Sequence, residues 1–260
     1  MERRRLGRTD IEVPVIGMGT WSTFDTDEER APIVSEAIAA GTDLFDSSPM
    51  YGRSEEVLAR ALSGRRDSAL VATKIWDQSP REGRRQVERA LELFGWVDVY
   101  QVHNLVNWRA QLELLEELRS SGDARAIGAT HYQVSAFPEL AGLMRSGRLD
   151  MVQIPYNPRR REAERNLLPL AESLGLGVLV LSPLKHGVLD ASPSPAQLAE
   201  LGVRTWAQAV LRWIASDPRV SCVLVATRTP GRPGENAAAG EPPWLSPEQR
   251  ELVTTICKAG

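Results

Sequence analysis

The chain has 260 residues, 42% of them hydrophobic and 25% charged, with a formal net charge of -3. That length suits one large domain or two small ones, with ample core; with no linker evident, residues 1–260 are taken as one domain. So mild a charge offers no field for nucleic acid or a membrane surface.

No apolar run approaches the ~20 residues of a membrane span. The start, Met1-Glu2-Arg3-Arg4-Arg5-Leu6-Gly7, lacks the apolar centre of a signal peptide. Two cysteines, Cys222 and Cys257, make neither a disulfide framework nor a zinc pattern. A reducing cytoplasm is the expected location.

Residues 3 to 13 alternate around Gly7-Arg8-Thr9-Asp10 and read as a small hairpin. A short apolar strand follows over Val13–Trp21, then a helix over Glu28–Ala40 with Ile33, Val34, Ala37 and Ile38 on one face and Gly41 at its end. Leu44-Phe45-Asp46 is the next strand; Pro49 and Gly52 punctuate the loop after it, and Ser54 is placed to cap a helix with Glu55 and Glu56 in its first turn.

Strand and helix then alternate without a break. The expected pairs are 69–74 and 81–94, 97–103 and 108–121, 126–131 and 135–145, 151–156 and 161–174, 177–181 and 205–215. A strand over 221–227 leads to a short helix from Glu235, and a terminal helix begins near Ser246. Residues 187–204 read as an extended loop. The strands are short and apolar on both faces, as a buried parallel sheet requires. Eight such units in about 250 residues predict an α/β fold, a closed (β/α)8 TIM barrel with an N-terminal β-hairpin. An open doubly wound sheet is the alternative, but Gly17-Met18-Gly19 lacks the third glycine of its fingerprint.

Barrel chemistry sits at the C-terminal ends of strands. Those ends carry Asp46 with Tyr51 just beyond, Lys74, His103, Thr130-His131, Gln153 and Ser182. A phenol of pKa ~10 is a poor acid at neutral pH, and a nearby ammonium lowers that value. Lys74 can do so for Tyr51, Asp46 can hold Lys74 charged, and His103 can orient a substrate oxygen. Such a set protonates an oxygen on which negative charge is building. It holds no strong nucleophile and no carboxylate pair, which argues against acyl transfer and glycoside cleavage.

The stretch Gly41-Thr42-Asp43-Leu44-Phe45-Asp46-Ser47-Ser48-Pro49-Met50-Tyr51-Gly52-Arg53-Ser54-Glu55 resembles the aldo-keto reductase signature. So do Ala72-Thr73-Lys74, Asp98–His103, Arg125–Gly128, Met151–Ile154, Leu181–Leu184 and Glu235–Ala239, in the right order over about residues 5 to 240. The resemblance implies a barrel that reduces an aldehyde or ketone with NADPH, NADH being a second possibility. It assigns the catalytic tetrad to Asp46, Tyr51, Lys74 and His103, with Tyr51 as the acid.

By the same resemblance, Gly19, Thr20, Trp21 and Asp46 line the cofactor, and Thr130, His131 and Gln153 hold its nicotinamide amide. Leu181 stands where many members stack an aromatic ring, Ser182 and Leu184 lie along the pyrophosphate, and Thr227, Arg228 and Arg232 bind the 2′-phosphate, with Glu235 and Asn236 at the adenine. Thr130-His131 replaces the usual Ser-Asn, and Val225-Ala226 a frequent Pro-Gly. The helix N-terminus after the eighth strand reads as an anion site.

Trp21, Phe24, Trp76, Leu105 and Trp108 follow strand ends and are read as the walls of an apolar substrate pocket. The expected partner is a small carbonyl compound, with no nucleic acid, membrane or metal. Two other readings stand beside this one. A metal-dependent barrel hydrolase would use His103, His131 and Asp46, but the chain has three histidines and no His-x-His pair. A cofactor-binding regulatory subunit would keep the same residues and turn over slowly.

Overall fold

In a barrel strand, residues two apart share a face, and here that face changes character along its length. The structure, a computed structural model, describes residues 1–259. Its barrel strands are β3 (Ile16–Gly19), β4 (Leu44–Asp46), β5 (Leu70–Ile75), β6 (Val97–His103), β7 (Ala124–Thr130), β8 (Met151–Pro155), β9 (Gly177–Leu181) and β10 (Cys222–Ala226). All neighbours pair in parallel, and β10 pairs with β3 to close the ring.

Low in the barrel, the interior is apolar: Leu44, Ala72, Val99, Ala126, Met151, Leu179 and Cys222 form one cluster. One step up the same faces stand Asp46, Lys74, Gln101 and Gln153, with His103 and Thr130 above. The register ties this polar layer together, since Lys74 lies opposite Gln101, His103 opposite Thr130, and Thr130 opposite Gln153. Gly128 leaves room for the layer below: a Cβ there would meet Met151 Sδ at 2.1 Å.

The lower end is plugged by the hairpin of β1 (Arg3–Arg5) and β2 (Glu12–Pro14). Leu6, Ile11 and Val13 join the interior cluster from it. Gly7, at φ +59°, lets the hairpin lie against the barrel, because any Cβ there would come within 2.4 Å of the Gly177 amide nitrogen.

The outer layer comprises α1 (Ala31–Ala39), α2 (Ser54–Ala61), α3 (Pro80–Phe94), α4 (Trp108–Ser121), α5 (Phe137–Met144), α6 (Leu167–Leu174), α7 (Pro195–Glu200), α8 (Trp206–Ala215), α9 (Arg232–Ala237) and α10 (Pro247–Ala259). Their apolar stripes meet the outward faces of the strands in a second, larger core that takes in Trp206 and Trp213.

Three local expectations change. The extended loop at 187–204 contains α7, begun by a capping box in which Ser194 and Gln197 satisfy each other's backbone N–H groups. The helix expected from Glu235 starts earlier, at Arg232, after Gly231 at φ +85°. Ser54 is not a cap but the first residue of α2, and its Oγ donates to the Tyr51 backbone oxygen at 2.7 Å.

Candidate active site

The upper rim of the barrel is where the polar layer meets the loops. All six non-glycine residues with positive φ among those described lie there: Ser22, Asn104, Leu105, Asn107, Ser182 and His186. Side chains rarely adopt this conformation, and such strain gathers at functional sites.

Lys74 is fully buried, and its Nζ donates to Asp46 Oδ2 at 2.7 Å and to the Ser47 carbonyl at 2.6 Å. Asp46 Oδ1 accepts from Gln153 Nε2 at 3.0 Å and Gln101 Nε2 at 3.2 Å. A buried ion pair persists only when its remaining hydrogen-bond capacity is met in this way. Burial alone would push the Lys74 ammonium down; Asp46, followed by Tyr51, outweighs it and holds the pKa above the ordinary lysine value.

Tyr51 ends a short 3-10 turn, Pro49–Tyr51. Lys74 Nζ lies 5.1 Å from its ring centroid, and His103 meets the ring edge-to-face at 5.6 Å. Burial raises the phenol's pKa, and the pull of Lys74 in the other direction is smaller. The net direction is therefore opposite to the sequence expectation, because the rim desolvates the phenolate more than one ammonium can repay. His103 is turned so that Nδ1 lies 2.8 Å from Ser48 Oγ. Burial, with Lys74 and His131 adding to it, brings the imidazole down to about 2, so the ring is neutral at physiological pH.

Glu55, expected only as an acid in the first turn of a helix, carries a further role. It is buried, and its Oε1 accepts from Thr73 Oγ1 across to β5. Burial raises its pKa to about 7. Thr73 neighbours Lys74 on the opposite face of β5, so this contact fastens the start of α2, and the Tyr51 turn before it, to the strand that bears Lys74.

The other predicted residues divide by location. Thr20 is buried with Oγ1 donating to Ser47 Oγ, while Gly19 lies opposite both Asp46 and Ala226. Thr130 is buried, and its hydroxyl has no partner among the described residues. His131 is half-buried, stacked on Tyr132, with Nδ1 accepting from the Gln133 amide. Leu181 ends β9, Ser182 and Leu184 lie in the loop after it, and all three are half-buried. Lys185 in that loop lays its ammonium 3.3 Å from the centroid of Trp21, which joins the loops after β3 and β9.

Farther round the rim, Thr227 Oγ1 accepts from the Thr229 amide, Arg228 is exposed, and Arg232 pairs with Glu235 at 2.7 Å. Asn236 is buried. The anion site expected at the α9 N-terminus is already engaged: Glu36 of α1 accepts from the amides of Gly231 at 2.9 Å and Gly234 at 3.2 Å.

Of the predicted pocket walls, Trp21 and Trp76 are exposed at the rim, at 47% and 41%. Phe24 has no accessible surface and packs into the outer core, so it presents no wall. Leu105 is nearly buried, and Trp108 opens α4 with its Nε1 donating to Glu139. The large exposed apolar side chains among the described residues, Trp21, Met50, Trp76, Tyr132 and Leu189, all follow the C-terminal ends of barrel strands.

The hydrolase alternative meets a structural obstacle. Both Asp46 oxygens are taken by donors, and among the described residues no three His, Cys, Asp or Glu side chains gather as a metal would need. Ser48, Gln101, Glu55 and Glu36 were not singled out from the sequence as site residues. Only Glu55 had a local signal, as an acid one residue beyond a serine at a helix start.

Comparison with known proteins gives a consistent set of likenesses. The family model described as Aldo/keto reductase family matches residues 15–257. Aldo-keto reductase YhdN of Bacillus subtilis (strain 168) is 27% identical, covering 89% of this chain and 86% of that one. The NADH-specific methylglyoxal reductase of Escherichia coli (strain K12) is 30% identical, covering 74% and 70%. Among solved structures, the holo form of aldo-keto reductase AKR11C1 from Bacillus halodurans superposes with a TM-score of 0.84 at 23% identity, covering 100% of this chain and 97% of that one.

Proposed function

This chain belongs to the aldo/keto reductase family, and from that premise we propose that it is an NADPH-dependent oxidoreductase that reduces an aldehyde or ketone to the alcohol, with Tyr51 as general acid. The observation that carries the reading is the convergence of Tyr51, Lys74, Asp46 and His103 at one rim of the barrel. When bound, a nicotinamide cofactor would supply the hydride. The chain's own residues govern the proton.

Tyr51 carries its proton at neutral pH as any phenol does, and burial raises its pKa further. As charge grows on the substrate oxygen, the Tyr51 proton passes to it, and the phenolate left behind faces the Lys74 ammonium. Asp46 keeps that ammonium in place through the 2.7 Å contact. His103, neutral, is no competing acid and serves to orient the carbonyl.

The unpaired Thr130 hydroxyl fits a cofactor amide, with the half-buried His131 beside it. NADH is a second candidate donor, as the NADH-specific relative suggests. The exposed aromatic side chains of the rim favour an apolar carbonyl substrate.

The test is a fluorescence titration of the purified protein with NADPH and, separately, NADH, followed by NADPH oxidation in the presence of aldehydes and ketones. Binding of a nucleotide and carbonyl-dependent oxidation that Tyr51→Phe abolishes would uphold the reading. No binding of either nucleotide would sink it.

A further inference from the structure

Ser48 lies two residues past Asp46, fully buried, with two close polar neighbours. Its Oγ is 3.2 Å from the Met50 amide nitrogen and 2.8 Å from His103 Nδ1. The amide can only donate, so Oγ accepts there. The hydroxyl then has one proton to place. Among the described residues no carbonyl or carboxylate accepts from Ser48 Oγ, which leaves His103 Nδ1 as the acceptor.

The reverse arrangement fails on the same accounting. A proton on Nδ1 would be donated to Oγ, and the hydroxyl's own proton would be buried without an acceptor, a state folded proteins avoid. In a neutral imidazole, the nitrogen that accepts determines which one carries the proton. Among the described residues His103 Nε2 makes no hydrogen bond and is not a buried unpaired atom, so it opens toward the mouth.

We propose that Ser48 is a positioning residue that holds His103 as the Nε2–H tautomer, so that the imidazole presents a donor to the substrate oxygen beside Tyr51. A carbonyl oxygen only accepts. An Nε2 lone pair would repel it, whereas an Nε2–H adds a second donor to that of Tyr51 and favours the developing negative charge. The use of the tautomer rests on the carbonyl-reductase reading; the tautomer itself does not.

The experiment is nitrogen NMR on the full chain labelled with 15N-histidine. His103 is distinguished from His131 and His186 by comparison with His131→Gln and His186→Gln variants. The expected result for the unmodified chain is an unprotonated Nδ1 and a protonated Nε2 at His103. A protonated Nδ1 would overturn the proposal, whether or not any carbonyl substrate has been found.

Ser48→Ala is expected to shift the His103 signals toward a tautomer mixture and to lower kcat for a carbonyl substrate on the order of tenfold, with nucleotide affinity retained. Ser48→Thr, which keeps the hydroxyl, is expected to restore both signals and rate. A Ser48→Ala protein with unchanged His103 signals would also refute the assignment.

Discussion

Lys74 Nζ and Asp46 Oδ2 stand 2.7 Å apart, with the ammonium fully buried and the carboxylate nearly so. Each is tolerable there only because of the other. Lys74→Met should leave Asp46 charged and short of its strongest donor, and cost about 3–5 kcal/mol of stability. Urea unfolding at neutral pH measures it. Adding Asp46→Asn should recover much of that loss, since the amide needs no counter-charge, while carbonyl reduction stays absent. A double variant no more stable than Lys74→Met would show that the pair is not coupled.

Tyr51→Phe removes the proton donor and little else. The ring still meets His103 edge-to-face, because that contact does not use the hydroxyl. Reduction should slow on the order of 10²-fold or more, with NADPH binding and the unfolding midpoint nearly unchanged. Comparable turnover in the variant would remove Tyr51 from the acid's role.

How much of this was readable in the sequence depended on distance along the chain. The barrel followed from short strands apolar on both faces. That Asp46, Tyr51, Lys74 and His103 share one rim was readable because each lies at or just past the end of a strand, Lys74 one residue before the end of β5 and His103 at the end of β6; their assignment as the catalytic tetrad came only from the resemblance. Gln101 and Ser48 escaped notice because each finds its partner 55 residues away, Gln101 at Asp46 and Ser48 at His103. Nothing local to either residue announces the contact. The α7 helix was a different failure: Ser194-Pro195-Ala196-Gln197 is a local start signal, and the surrounding Pro and Ser content outweighed it. Phe24 misled because following a strand end does not decide which way a side chain turns.

Glu55 gives the pH dependence its sign. Burial raises its folded pKa to about 7 from the ordinary 4.5, so the native state binds the proton more tightly than the unfolded chain does. Its contribution is fully present below pH 4.5 and is lost as the pH rises through 7. The charges facing it are Lys74, Arg89 and Glu56, and Thr73 donates to it. Glu55→Gln keeps an acceptor for Thr73 without the charge. The wild type should lose on the order of 3 kcal/mol across that interval, and the variant should lose measurably less. Urea midpoints at a series of pH values decide it; parallel curves for the two proteins would dismiss Glu55 as the source.

Glu36 bears on the choice between NADPH and NADH. Its carboxylate accepts from the Gly231 and Gly234 amides, which flank Arg232, while the Arg232 guanidinium is paired with Glu235. If Arg232 and Thr227 receive a 2′-phosphate, the phosphate meets two carboxylates already holding the local positive charge, and like charges in one region repel. NADH has no such group and feels little of this. Glu36→Gln keeps one acceptor for the amides and removes a negative charge at the helix start, an effect of about 0.3–1 kcal/mol. It should tighten NADPH roughly two- to fivefold, more at low salt than at high, and leave NADH nearly unchanged. Arg232→Ala should act in the opposite sense, weakening NADPH more than NADH. Paired fluorescence titrations at two ionic strengths separate these outcomes. Equal shifts for both nucleotides in Glu36→Gln would mean that the carboxylate shapes the loop and does not discriminate against the phosphate.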